Sequence, residues 1–472
     1  MSAPTRWPGC TWNCAAAKRG WRCALVSRLL AGARAAVHRQ WSDPLSRGGL
    51  ALLVNTGLTG MLGFAYWIIA ARLFSTYAVG AAGALVSAAT LFSGLGQLNL
   101  SGMLMRFLPG AGTKSRRLVW VTYGFAAGAS ALLAVACLAG IRHFGSAHSP
   151  LRLDTMQSAL FVGSAAATAI FVIQDSVLIG VRQALWIPAE NGTFGVAKIV
   201  LLFVFAPIGT AFALFGAWMI PLTLMIPVIS AVLFARFLPR REGGGRPLPF
   251  GRRARSKMMR FAAGDAFGGL FTQAWTYLPP IIITELLGAP VNALYYISFL
   301  FSGTVDQIAA NFASPLTVEG AHAPAEIGRL IRATLRRIYA VVLPVVIVLI
   351  TGCPWLIQAF GAKYAGAVLP MRLLLLACLP KVISTVYYAY CRIDRSTHRS
   401  AVMQGYVAVT TLTAVVLLAR PFHLTGICLA VLAVQTSTGL YSWWALRRNP
   451  LRTAVDPAAP GRHRRELTES RP

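Results

Sequence analysis

Twelve long apolar stretches alternate with short polar segments, and the basic residues crowd into every second segment. The segments 1–48, 106–117, 182–192, 236–260, 314–337, 391–399 and 446–472 hold 36 of the 44 arginines and lysines. The alternate segments carry only Arg72, Arg142, Arg152, Lys363 and Arg420, while Lys198, Arg372 and Lys381 fall in or at the edge of apolar stretches. Cytoplasmic loops of polytopic membrane proteins are enriched in lysine and arginine. The alternation therefore predicts an all-α polytopic protein of the cell (cytoplasmic) membrane, with about 12 transmembrane helices and both termini cytoplasmic.

The same pattern explains a net charge of +30 without a nucleic-acid partner. A nucleic-acid-binding domain gathers its charge on one face or stripe of a soluble fold. Here the charge is spread over short loops, in a chain that is 56% hydrophobic. The predicted spans are 49–71, 79–101, 118–141, 157–181, 191–207, 210–235, 261–284, 289–313, 338–360, 367–390, 400–419 and 422–445. A bilayer core of about 30 Å needs roughly 20 helical residues, a length that most of these reach. Between the fifth and sixth, Ala206-Pro207-Ile208-Gly209 reads as a tight turn.

The eight cysteines suggest no disulfide framework. Those in or near spans act as small apolar residues, and Cys10, Cys14 and Cys23 lack a fourth ligand for zinc. Residues 1–47 read as a basic cytoplasmic leader without the apolar core of a signal peptide, and 446–472 as a basic tail. Between them lie a six-helix half at 48–235, a basic loop at 236–260 and a second six-helix half at 261–445. Six is even, so both halves enter the membrane in the same sense and are expected to be parallel repeats. Leu91-Phe92-Ser93-Gly94 recurs as Leu300-Phe301-Ser302-Gly303 in the equivalent span of the second half. The same offset pairs Gln97 with Asp306 and Thr56 with Asp265.

Ionisable groups inside spans are costly and normally face a bundle interior or a water-filled cavity. Asp175, Lys198, Asp265, Asp306 and Lys381 qualify, and Arg372 lies near the outer end of its span. Asn191 and Lys198 share a helical face, as do Asp265, Thr272 and Thr276, and Asn55, Thr59 and Tyr66. Ser87, Thr90, Gly94, Gln97 and Ser101 form a further stripe in span 2. Turned inward, Lys198, Lys381, Asp265, Asn55, Thr59, Tyr66, Gln97, Asn191 and Arg372 would line a cavity suited to a polar anionic headgroup. The competing reading of the small-residue stripes is close helix packing. For Asp175 the competing reading is pairing with Arg182, for Asp306 a local cap or pair, and for Arg372 snorkelling to the interface.

The chain resembles the polysaccharide-transporter branch of the multidrug/oligosaccharidyl-lipid/polysaccharide exporter superfamily over roughly residues 48–445. The resemblance rests on Asn55-Thr56, on the turn Arg72-Leu73-Phe74-Ser75-Thr76-Tyr77-Ala78-Val79-Gly80, and on Gly96-Gln97-Leu98-Asn99-Leu100 leading to Arg106-Phe107-Leu108-Pro109. In the second half, Phe360-Gly361-Ala362-Lys363-Tyr364-Ala365 is similar to the branch's turn before span 10. The resemblance implies a flippase that moves polyprenyl-diphosphate-linked oligosaccharide across the membrane by alternating access between the halves. Its partners would be that lipid-linked oligosaccharide, membrane lipids, and polysaccharide polymerase or glycosyltransferase machinery. A cation-coupled multidrug exporter of the same superfamily is the alternative. It would be expected to carry carboxylates in the first half's cavity, where span 1 offers only Asn55. A membrane-embedded glycosyltransferase would need a large outer loop bearing acids, and Arg142 to Met156 holds only Asp154. No nucleophile elbow, zinc-protease motif or phosphate loop is present, so neither an enzyme nor a cofactor is expected.

Overall fold

A computed structural model describes residues 44–144, 152–238, 252–394 and 396–448. The first half contains α1 (Pro44–Leu73), α2 (Thr76–Gln97), the short α3 (Leu100–Phe107), α4 (Ser115–Phe144), α5 (Thr155–Gly180), α6 (Ile187–Phe205) and α7 (Ala211–Val232). The second contains α8 (Arg252–Leu287), α9 (Ala289–His322), α10 (Ile327–Phe360), α11 (Val368–Ile393) and α12 (Thr397–Arg448). The last is two limbs folded back on each other. Helical geometry fails at His423, just after Pro421, and Tyr406 and Ser437 hydrogen-bond across the fold at 3.3 Å. Counting both limbs, six long helices stand on either side of the basic loop. The described residues contain no β-strand.

Local chemistry sets the boundaries. Ser75, Asp154 and Thr210 each accept a hydrogen bond from the backbone N–H three residues on, starting α2, α5 and α7. The turn between α6 and α7 is Ala206–Ile208 followed by Gly209 at φ +67°, as Pro207 and Gly209 predict. One boundary differs from expectation. Span 2 stops at Gln97, because Leu98 and Asn99 adopt left-handed conformations and redirect the chain into α3. An asparagine tolerates that geometry, and its side chain gave no warning in an otherwise apolar run.

Nine helices among the described residues are long and apolar enough to cross a membrane. The two long helices outside that set are α8 and α9. The first opens on Arg252, Arg253, Arg255, Lys257 and Arg260, and the second carries Asn292, Asp306, Gln307 and Asn311. Both line the large cavity described below, which gives their polar faces a solvated outlet.

The two halves share several of their neighbour pairs. α1 packs on α6, α2 on α4 and α5, and α5 on α4 and α7. In the second half α8 packs on α12, α9 on α10 and α11, and α11 on α10 and α12. The halves meet through α2, which lies against both α8 and α9. A hydrophobic cluster crosses that junction, joining Tyr66, Trp67, Phe74 and Val79 to Tyr296, Phe301, Phe360 and Tyr364. These eight members sit toward the helix ends opposite the basic loops, while others such as Leu316, Ile331, Cys391 and Leu446 carry the cluster down to the basic-loop ends. Trp67 meets Tyr296 with ring centroids 4.8 Å apart, and Phe64 meets Phe301 at 4.6 Å. The halves are thus closed at that end.

Candidate functional site

A cavity of about 770 Å³ lies below this aromatic roof. Its walls come from α8, α9, α11 and both limbs of α12, with one face of α1 on the remaining side. Ala313, Ser314 and Thr317 of α9, Arg392 of α11 and Gln404 of α12 bring the lining down to the basic-loop ends of those helices. The second half therefore supplies most of the surface.

Among the described residues of the lining three are charged: Asp306, Lys381 and Arg392. The Lys381 ammonium donates to Asp306 Oδ2 at 2.5 Å, and it stands 4.4 Å from the centroid of the Trp275 ring. The two side chains are 22% and 28% exposed, so the pair stays in touch with the cavity. Just before Lys381, α12 approaches α11 closely, with Gly439 lying against the Pro380 carbonyl. A Cβ at Gly439 would fall 2.7 Å from that oxygen. Around the pair the lining is hydroxyl, amide and aromatic: Thr272, Gln273, Tyr277, Gln307, Tyr388 and Gln435. Thr272 is hydrogen-bonded to Gln404, which in turn donates to Ser400 at 2.7 Å, tying α8 to the first limb of α12.

Thr59 lines the cavity together with Thr56, Gly60, Gly63 and Phe64. The α1 stripe is thus a cavity face, and a Cβ at Gly57, Gly60 or Gly63 would meet nothing within 4 Å. The α2 stripe is the opposite case. Gly94 lies against Gln273 and Gly96 against Ser130, while Gln97 donates to Ser93 at 3.1 Å and accepts from Ser101 at 3.0 Å. These groups serve helix packing.

Of the other residues expected at the site, Lys198, Tyr66, Asn55, Asn191 and Arg372 lie outside this lining. Lys198 is 4% exposed and sits in an aromatic box, 3.7 Å from the Trp218 centroid, 4.9 Å from Phe194 and 5.3 Å from Tyr66. The Tyr66 hydroxyl donates to the Leu214 carbonyl at 2.8 Å. Asn55 is half-buried near the start of α1, with a side-chain oxygen that finds no partner. Arg372 reaches the Ile350 carbonyl at 3.4 Å. Asn191 donates to Asp175 at 3.4 Å, taking the place expected for Arg182, and Glu190 is buried beside them. Asp265 belongs to α8, but its side chain is outside the described residues, as are Cys10, Cys14 and Cys23. Sequence reasoning passed over Trp275 and Tyr388. A tryptophan between two threonine-bearing turns of a polar span is the signal that would have found the first.

Among the described residues no three His, Cys, Asp or Glu side chains gather into a metal site. Comparison with protein families returns no match, and no curated protein is significantly similar. Solved structures do match the fold. An inward-facing multidrug resistance MATE family transporter of the MOP superfamily superposes with a TM-score of 0.63 at 13% identity, covering 86% of this chain and 99% of its own. Its outward-facing counterpart gives 0.62 at 13% identity, covering 88% and 98%. A MOP superfamily transporter from Pyrococcus furiosus, described by the reverse polarity of its binding pocket, gives 0.61 at 12% identity, covering 88% and 97%. The chain therefore shares its fold with MOP superfamily transporters. These neighbours are transporters, not enzymes.

Proposed function

We propose that the protein translocates a polyprenyl-diphosphate-linked oligosaccharide across the cytoplasmic membrane, for surface polysaccharide assembly, by alternating access between its halves. The observation that carries this reading is the cavity. It combines one lysine–aspartate pair with hydroxyl, amide and aromatic groups, and it reaches toward the basic-loop ends while the opposite ends are closed. Aromatic faces and hydroxyls suit sugar rings, and an ammonium suits a diphosphate that has left bulk water. The basic loops are then cytoplasmic and the cavity is open to the cytoplasmic leaflet, where such a lipid is made. The α1 face, lined by glycines with free space before them, leaves room for the lipid-borne headgroup to approach.

In this reading Lys381 is the group that meets the diphosphate, Asp306 holds it in place while the site is empty, and Thr59, Thr272 and Gln404 meet the sugars. Lys198, enclosed by rings, takes no part in headgroup binding in this conformation. The partners are enzymes that build the oligosaccharide on its lipid and that polymerise it afterwards. A second reading, a cation-coupled multidrug exporter, draws on the half-buried Asp175 and the buried Glu190 of the first half. Reconstitution separates the two. Purified protein in proteoliposomes should move a fluorescent polyprenyl-diphosphate saccharide between leaflets, and Lys381→Met should stop it. Export of cationic dyes with no lipid flipping would reject the first reading in favour of the second.

A further inference from the structure

The two halves are pinned together at the closed end by a reciprocal pair of contacts that the transport reading leaves unassigned. Arg72, in the last turn of α1, donates from Nε to the Ala359 carbonyl at 2.8 Å and from Nη2 to the Gln358 carbonyl at 2.7 Å. Both carbonyls lie in the last turn of α10, in the other half. Lys363, in the turn after α10, donates from Nζ to the Phe74 carbonyl at 2.7 Å, directly beyond the end of α1. Each half thus sends a cation onto the C-terminal carbonyls of a helix in the other. Carbonyls at a helix C-terminus carry the negative end of the helix dipole, and Gln358 accepts from the Gly361 N–H at 3.1 Å as well as from Arg72. Beside them, Asn292 of α9 donates to the Gly80 carbonyl of α2 at 2.8 Å. Gly80 itself approaches the Ala289 backbone so closely that a Cβ would lie 1.7 Å from the Ala289 oxygen.

We propose that Arg72 and Lys363 form a two-cation latch that holds the outer ends of the halves shut and is released when the cavity turns outward. The two cations also lie near enough to repel each other. Among the described residues neither pairs with an acid; each is answered by carbonyls of the opposite half. As the outer ends part, both sets of carbonyls are lost together, and the repulsion then favours separation. A latch of this kind behaves as a two-state element, and its removal moves a population without disturbing the interior of either half. Both residues are exposed, so each contributes modestly. Losing the pair should raise the ratio of outer-open to outer-closed molecules roughly three- to tenfold.

The inference rests on the alternating-access reading, and the test tells the two apart. Spin labels at Tyr77 and Leu369, both exposed at the outer ends, report one separation; labels at Arg117 and Glu319 report the other end. Full-length protein in nanodiscs, with native cysteines replaced, is measured by pulsed electron resonance as wild type, Arg72→Gln, Lys363→Gln and the double variant. Arg72→Lys serves as the charge-retaining control. The expected result is a longer outer distance that grows from single to double variant, with a matching shortening at the basic-loop end and a smaller effect in Arg72→Lys. Unchanged distributions in the glutamine variants overturn the latch, as does opening at both ends at once, which reports loosened packing. If the outer distance never lengthens in any protein, with or without a lipid-diphosphate ligand, alternating access fails as well. Should the double variant not fold, the single variants decide between the same outcomes.

Discussion

Replacing Asp306 with asparagine should tighten binding of a diphosphate headgroup while weakening the protein. The Lys381–Asp306 pair spans 2.5 Å, with each side chain about one-quarter exposed. In an effective dielectric of about 20, two unit charges at that distance attract by roughly 7 kcal/mol, most of which is offset by the desolvation of both ions. Exposed pairs contribute up to about 1 kcal/mol, and breaking a fully buried pair costs about 3–5 kcal/mol. A pair that faces a wet cavity falls between these limits. Asparagine keeps an acceptor for the ammonium, so a loss of about 1–2 kcal/mol in stability is expected. The ligand gains what the carboxylate no longer takes. A diphosphate that need not displace Asp306 should bind on the order of tenfold more tightly, about 1.4 kcal/mol. Lys381→Met should do the reverse, because it removes the cation and leaves Asp306 to repel the anion. Calorimetric titration with a short-chain prenyl-diphosphate saccharide, at two salt concentrations, reads both effects. Equal losses of affinity in Asp306→Asn and Lys381→Met would refute the reasoning, since they would make the pair a structural unit rather than a site with a displaceable counter-ion.

Gly80→Val should prevent the outer ends from closing, because its Cβ would overlap the Ala289 carbonyl; the Tyr77–Leu369 label pair should lengthen and transport should fall at least tenfold. Lys198→Met should leave lipid transport within about twofold of wild type and leave stability unchanged or raised, because removing a buried charge also removes its desolvation cost; transport lost in a folded, inserted variant would return Lys198 to the substrate path. Cysteine at Tyr77 should label from outside intact cells and cysteine at Arg117 should not, the reverse result overturning the cytoplasmic assignment of the basic loops. Ala289, the first residue of the span predicted over 289–313, is 2% exposed and would be a poor reporter in this state. Gly209→Ala should cost about 1 kcal/mol through its positive φ, read as a lowered melting temperature in detergent.

Fold and site were unequally legible in the sequence, and the reason is physical. Length, apolarity and charge alternation act on each span separately, so the helices, the turn at Pro207–Gly209 and the reversal near Pro421 could be read one segment at a time. The site depends on which faces of different spans converge, and a single helix does not record its neighbours. The stripes of α1 and α2 look alike as sequence, with small and hydroxylated residues at helical spacing. One faces open space at Gly57, Gly60 and Gly63, whereas the other is filled at Gly94 by Gln273 and at Gly96 by Ser130. The difference lies in the partner helix. The two lysines show the same limit. A buried ammonium needs compensation, which the cost of burial predicts, but whether a carboxylate or a box of rings supplies it is a tertiary fact. Lys381 finds Asp306 on the adjacent helix α9, and Lys198 finds Tyr66, Phe194 and Trp218 within its own half. The internal repeat was the one sequence signal that reached across helices. Its offset paired Asp306, in the middle of α9, with Gln97, the last residue of α2, and the two side chains are put to opposite uses. In the first half the position is closed by hydrogen bonds within its own helix region, and in the second it is the acid of the cavity's ion pair. Such divergence follows if one half chiefly supports the other: the supporting half can fill its polar stripe with packing, and the half that meets substrate keeps its stripe open to water.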